Sequence, residues 1–350
     1  MIIRLLTILL CMAPIYCAAA ETKADTAATT TEKAKTNYIP AFHGTFRAFY
    51  EMSTATGESR FMVRNARLAA GGNVLPIASY FLQVDLCDRG KMKILDAYIS
   101  VSPAKGLKLM AGQMRVPFSV SASRAPALYY FANRPFVAKH FGNLRAVGVK
   151  AGYTLPAIPL YFEGGVFNGT DMSDHTGWNK HLTYSVKANY TSSLGLKPEI
   201  GFMSRLPGSE GVRINQLNAS LSWKGAGWYI EGEYGYRHYT GKSHKASHAY
   251  SIFADYGFPL RSRIVNRWSF QARFDGLTDA SNGKFNSEGK LETTWPACRR
   301  ITVGTTASYL AGPVHCDFRI NFEQYFYSSK EAAPDPADNN KLVAALILYF

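Results

Sequence analysis

After residue 20 this sequence has no run approaching the ~18–20 apolar residues that a spanning helix needs. With a mean hydropathy of −0.12, that excludes a bundle of transmembrane helices. Cysteine is scarce. Cys11, Cys17, Cys87, Cys298 and Cys316 show no CxxC pair and no metal-ligand spacing. Two of them fall in the first 20 residues; with those residues removed three remain, a complete disulfide framework is impossible and at most one bridge can form. There is no GxxxxGKS/T, no GxGxxG after a strand, no HExxH and no GxSxG. Nucleotide, zinc-protease and hydrolase sites therefore have no signature here, and no catalytic residue or cofactor is implied. His238, His244 and His248 are the closest histidines, but no second ligand set supports a metal. Acid is also in short supply: 25 Asp and Glu stand against 39 Lys and Arg, a net charge of +14. A basic balance implies an acidic partner, whether nucleic acid, anionic lipid or a small anion.

What is present is 21 Tyr, 21 Phe and 29 Gly, a mix that suits many strands joined by many turns. The first 20 residues read as a secretory signal peptide. Arg4 supplies the positive n-region, Leu5 to Leu10 begin the apolar core, and Ala18-Ala19-Ala20 fits the small-x-small cleavage rule. Cys17 raises a lipoprotein alternative, but Tyr16 before it is too large for that signal. Cleavage before Glu21 leaves 330 residues with a net charge of +13. Residues 21–40 are rich in Thr, Ala and Lys and read as a flexible periplasmic lead-in. Export argues against nucleic acid as the acidic partner.

From Ala41 onward the pattern is alternation. Leu182, Tyr184, Val186, Ala188 and Tyr190 point one way, and Thr183, Ser185, Lys187 and Asn189 the other. Trp268, Phe270, Ala272 and Phe274 alternate with Arg267, Ser269, Gln271, Arg273 and Asp275. Such runs are about 9–12 residues long, enough to cross a bilayer at a tilt. Connections alternate too. Short turns at 102–106, 155–159, 192–195 and 224–227 contrast with long links at 119–144, 168–180, 240–247 and 328–340. Seventeen strand candidates appear, but single-chain barrels close with an even number. Phe285–Trp295 is polar on both faces and is assigned to an outer loop over 277–298. The expected fold is an all-β transmembrane antiparallel barrel of 16 strands over 41–350, with 18 as the alternative. Leu342, Ala344, Leu346, Leu348 and Phe350 form a last apolar face ending on a terminal Phe. That ending resembles the signal read by the barrel assembly machinery.

With apolar faces toward lipid, polar faces line the lumen. Arg47, Arg115, Lys150, Lys187, Arg237, Arg267, Arg273 and Arg319 fall there. So do Asp85, Asp96, Glu163, Glu231, Glu233, Asp275 and Glu323, which cancel part of the charge. The 119–144 segment is too long and too apolar to lie free in water. It is the third outer loop and is expected to fold into the lumen as a constriction loop. It carries Arg124, Arg134, Lys139 and His140, and Arg145 follows it. Arg and Lys at a constriction favour anions, and the guanidinium fork suits phosphate.

Four segments in order, Phe61 to Leu68, Leu95 to Tyr98, Gly112 to Phe118, and Asn133-Arg134, resemble the phosphate-selective porin O and P family. The resemblance is good over about residues 43–153 and looser beyond. It implies a trimeric 16-stranded porin whose constriction holds cations and one tempering carboxylate. Asp96 falls at that acidic position, and Arg115 falls at a basic position facing it. Arg64 and Arg67 fall in the family's arginine-rich second strand, here interrupted by Asn65. Strict alternation would put Arg64 and Arg67 on opposite faces, so one is expected at a bulge or at the trimer contact. The function expected is passive diffusion of small anions such as phosphate. The alternatives are a general non-selective porin or a plugged barrel binding a partner through its outer loops. Expected partners are outer-membrane lipid, lipopolysaccharide, the assembly machinery and two further copies of the chain.

Overall fold

A computed structural model describes residues 39–142, 144–169, 172, 175, 177–178, 180–207, 211–328 and 336–350. The expected signal peptide and nearly all of the lead-in lie outside the described residues. The strands are β1 (Ala41–Ser53), β2 (Ser59–Leu75), β3 (Ala78–Asp88), β4 (Lys91–Ala104), β5 (Leu107–Arg115), β6 (Arg145–Thr154), β7 (Leu160–Phe167) and β8 (Thr183–Tyr190). They continue as β9 (Leu196–Arg205), β10 (Ile214–Gly225), β11 (Trp228–Tyr239), β12 (Ser247–Pro259), β13 (Arg267–Leu277), β14 (Cys298–Ala311), β15 (Val314–Tyr327) and β16 (Lys341–Tyr349). Each pairs antiparallel with its sequence neighbours, and β1 pairs with β16 to close the barrel. Closure leaves no strand edge unpaired in lipid, where an unsatisfied backbone group has no water to turn to.

The burial pattern is inverted relative to a water-soluble sheet. On β8, Thr183, Ser185 and Lys187 are buried while Tyr184 and Val186 are exposed. On β15, Asp317, Arg319, Asn321 and Glu323 are buried while Phe318, Ile320 and Phe322 are exposed. The apolar faces form the outer surface of the barrel, and the polar faces line the lumen. At the barrel seam the terminal Phe350 ring lies over a glycine. Gly44 and Phe350 exchange two backbone hydrogen bonds of 3.0 and 3.2 Å, and a Cβ on Gly44 would collide with the Phe350 ring.

The expected parity of the connections stands. One end has the turns 76–77, 105–106, 155–159, 191–195, 226–227, 260–266 and 312–313. The other end has 116–144, 168–182 and 278–297 among its links. Phe285–Trp295 sits in the last of these, where Phe285 bridges Leu291 and Ala280 bridges Trp295. Cys298 pairs in register with Tyr327, eleven residues along β15 from Cys316. At roughly 3.3 Å per residue the two thiols lie at opposite ends of the sheet and cannot bond. Cys87, Cys298 and Cys316 are all free.

Candidate functional site

The 116–144 link lies against the inward-facing side chains of many strands. Its first half seats on β11 and β8. Ser119 Oγ donates to Glu233 at 2.5 Å, and Ser121 donates to the same carboxylate. Ser185 donates to the Pro117 carbonyl. Arg124 is gripped by Glu231 and by Tyr229 Oη at 3.1 Å, with the Tyr130, Tyr229 and Phe253 rings around it. Burial opposes the Arg124 charge, but Glu231 outweighs it and holds the guanidinium above its usual range.

The second half seats on β10 to β16 and β1. Backbone N–H groups of Ala132 and Phe136 donate to Asn321 and Asp275 at 2.7 and 2.9 Å. Its carbonyls accept from wall arginines: Asn133 from Arg273, Arg134 from Arg300, His140 from Arg237 and Ala132 from Arg47. A segment inside a barrel cannot satisfy its carbonyls with its own sheet, and arginine offers a rigid fork of donors for them. The apolar side chains pack underneath. Phe131, Phe136 and Phe141 are buried, with guanidiniums of Arg273, Arg300 and Arg237 4.5, 4.5 and 4.1 Å from their ring centres. The wall arginines Arg237 and Arg273 therefore seat the segment.

The other side of the lumen, formed by β1 to β6, carries most of the residues singled out by sequence. A bulge in β2 against Arg47 and Ala48 leaves Arg64 out of register, so Arg64 and Arg67 face the same space. Arg67 pairs with buried Asp85 at 2.8 Å, and Arg64 pairs with Asp88 at 3.2 Å. The expected facing of Asp96 and Arg115 is corrected. Asp96 accepts from Arg145 Nε and one terminal nitrogen, at 3.1 and 3.0 Å. Arg115 instead turns to the Ala122 carbonyl. The reason is register: Arg115 and Arg145 are direct partners across β5 and β6, and the one not occupied by the 116–144 segment takes the carboxylate. Lys139 pairs with Asp338 at 2.5 Å. Arg134 has no carboxylate partner among the described residues and lies 5.3 Å from the Tyr129 ring centre. Burial raises the Tyr129 phenol, but Arg134, Arg115, Arg47 and Arg67 outweigh burial and hold it below its ordinary value.

Between this wall and the 116–144 segment is a cavity of about 880 Å³. Thirteen Lys or Arg side chains and three carboxylates, Glu51, Asp88 and Asp338, line it. Arg64, Arg67, Arg134, Lys139 and Arg145 are among the thirteen. Arg115 and Arg124 are not.

Residues 37–200 match the family described as phosphate-selective porin O and P. Over that segment, just under half of the chain, the sequence is similar to that family. No curated protein matches it in sequence. Solved structures match the fold of the porin at low identity. An anion-selective porin from Comamonas acidovorans is 13% identical with a TM-score of 0.63, over 89% of this chain and 98% of that one. Salmonella typhi OmpF in complex with daunomycin is 11% identical with a TM-score of 0.61, over 89% and 97%. The outer-membrane channel DcaP of Acinetobacter baumannii is 10% identical with a TM-score of 0.60, over 89% and 97%. The chain is accordingly a protein of a Gram-negative outer membrane.

Sequence reasoning missed Arg300 and Arg205 of the porin. Arg300 is fully buried and ties Asp275, Glu323 and the Arg134 carbonyl together. The signal was available, because Arg300 and Thr302 alternate with Ile301 and Val303. Tyr129 was visible only as an aromatic in the loop. Its surroundings depend on arginines from three strands. The three histidines do not converge: His248 accepts or donates at Tyr234, and His244 at Lys245 and Thr293. Among the described residues no group of His, Cys, Asp and Glu could hold a metal ion.

Proposed function

We propose that this porin passes small anions passively, phosphate among them, through a basic constriction between the 116–144 segment and the β1–β6 wall. The observation that carries this reading is the lining of the cavity, thirteen cations to three carboxylates. An ion in a narrow space loses part of its hydration shell, and fixed charges of opposite sign offset that cost. The neighbouring carboxylates keep the site from holding the anion too long, since conduction needs both entry and exit. Asp96 against Arg145 and Asp85 against Arg67 fit that tempering role. Arg64, Arg67, Arg134, Lys139 and Arg145 supply the positive field, and Arg115, turned to the Ala122 carbonyl outside the lining, adds to it weakly. Arg124, enclosed by Glu231 and three rings, holds the segment in place.

The channel needs no cofactor and no energy source, and it is not an enzyme. The mature chain, released by cleavage after Ala20, assembles as a homotrimer. Its apolar outer faces meet lipid and lipopolysaccharide, and its last strand, ending at Phe350, is the handle for the assembly machinery.

Single-channel recording of the refolded mature protein under a KCl gradient tests this. A reversal potential toward the chloride limit, with current reduced by added phosphate, is expected. Conduction without ion preference would make it a general porin in which carboxylates cancel the cations. A folded barrel that stays silent would make it a plugged, partner-binding barrel.

A further inference from the structure

Arg237 of β11 is fully buried and has no carboxylate partner among the described residues. Such a cation is costly unless its donors are used. Its two terminal nitrogens reach two different loops. One donates to the Ser281 carbonyl at 2.8 Å, in the 278–297 link, and the other to the His140 carbonyl at 2.6 Å, in the 116–144 segment. The guanidinium also lies 4.1 Å from the Phe141 ring centre and 5.8 Å from that of Trp295, one ring from each loop. Trp295 in turn packs on His140 at 4.8 Å. Tyr239, two residues along the strand, adds a second hold on Ser281, donating to its carbonyl and accepting from its N–H, both at 2.8 Å.

We infer that Arg237 is a positioning residue that clamps the 278–297 link onto the 116–144 segment, closing this side of the lumen and confining ion flow to the arginine-lined side. This rests on the channel function proposed above. A planar fork is what lets one side chain serve carbonyls on two loops at once, and neither lysine nor methionine can do so. Without the clamp the two loops separate and a second, less cationic path opens.

The test compares wild type with Arg237→Lys and Arg237→Met in planar bilayers, using only protein that migrates as folded barrel before heating. Conductance is expected to rise by about twofold, with flickering levels and a weaker anion preference, because a wider path adds ions the basic wall does not select. Acrylamide quenching of tryptophan fluorescence in the same preparations is expected to rise, and the increment to vanish when Trp295→Phe is added. Folded variants with wild-type conductance, selectivity and quenching would overturn the clamp. A silent wild type would overturn the channel reading alone, because the Trp295 increment reads the clamp without any current.

Discussion

Arg124 and Arg134 lie ten residues apart on one loop and meet opposite surroundings. Arg124 faces β11 and β12, where Glu231 grips it and Tyr130, Tyr229 and Phe253 enclose it. Arg134 faces β1 to β6, where Arg47, Arg64, Arg67 and Arg115 lie within reach of its charge and where it has no carboxylate partner among the described residues. The two are alike in sequence and opposite in energetics. A positive charge in a lumen becomes available to a passing ion only where the wall behind it lacks an acid to take it. The net charge of the chain is therefore a poor guide to selectivity. Most of the lumen cations are spent on carboxylates or on the carbonyls of the loop.

The largest effect that separates these sides is expected from Glu231→Gln. It leaves the Arg124 guanidinium buried without its counter-charge, and breaking such a pair typically costs roughly 3–5 kcal/mol. Urea unfolding of the barrel in lipid reads this as a lowered midpoint. The first half of the loop should also loosen, which limited proteolysis of the folded protein near Arg124 would show. A midpoint equal to wild type would mean that Glu231 does not hold the loop. Arg134→Ala should do the reverse. With no partner to orphan, stability should change by no more than about 0.5 kcal/mol. The reversal potential in a KCl gradient should nevertheless move toward zero. An unchanged reversal potential would remove Arg134 from the permeation path.

The barrel was legible because its signal is local. Period-2 alternation, the even count and the contrast of short and long connections are all carried by residues adjacent in the chain. Even the loop polarity that moved Phe285–Trp295 out of the sheet could be read that way. The loop's entry into the lumen was legible from its length and its Phe and Tyr content. Its docking was not. Ser119 meets Glu233 and Asn133 meets Glu323 across 114 and 190 residues, and nothing at either end announces the other. The Asp96 partner was misassigned for a related reason. Arg115 and Arg145 face each other across one strand pair, so sequence offers two equal candidates. Only the Ala122 carbonyl, placed by the turn of the loop, decides between them. The bulge that brings Arg64 beside Arg67 belongs to the same class, since strand register is set by pairing and not by the strand alone.

A smaller effect sharpens the basic side itself. Asp96→Asn frees Arg145, and phosphate should then block chloride current at lower concentration than in wild type. Arg115→Ala should lower anion preference only modestly, because that guanidinium is already turned to a backbone carbonyl. If Arg115→Ala proved as damaging as Arg134→Ala, the distinction between occupied and available arginines would fail.

The smallest effect concerns Tyr129, and its sign follows from the surrounding charges. Four arginines outweigh burial and hold its phenol below the ordinary tyrosine value. As pH rises through that depressed value a phenolate appears beside Arg134 and cancels part of the field. Anion preference should therefore decline at a pH below the ordinary tyrosine range. The decline should move to higher pH in Arg134→Ala, which removes the first of the cations stabilising the phenolate, and vanish in Tyr129→Phe. Stability carries the linked sign: a depressed folded value contributes above the unfolded tyrosine pKa of about 10, and the contribution is lost as pH falls through the folded value. No comparable titration is expected around Arg124, because Glu231 already neutralises it. A pH response of selectivity that survives Tyr129→Phe would place the titrating group on the acidic wall and reverse the assignment of the two sides.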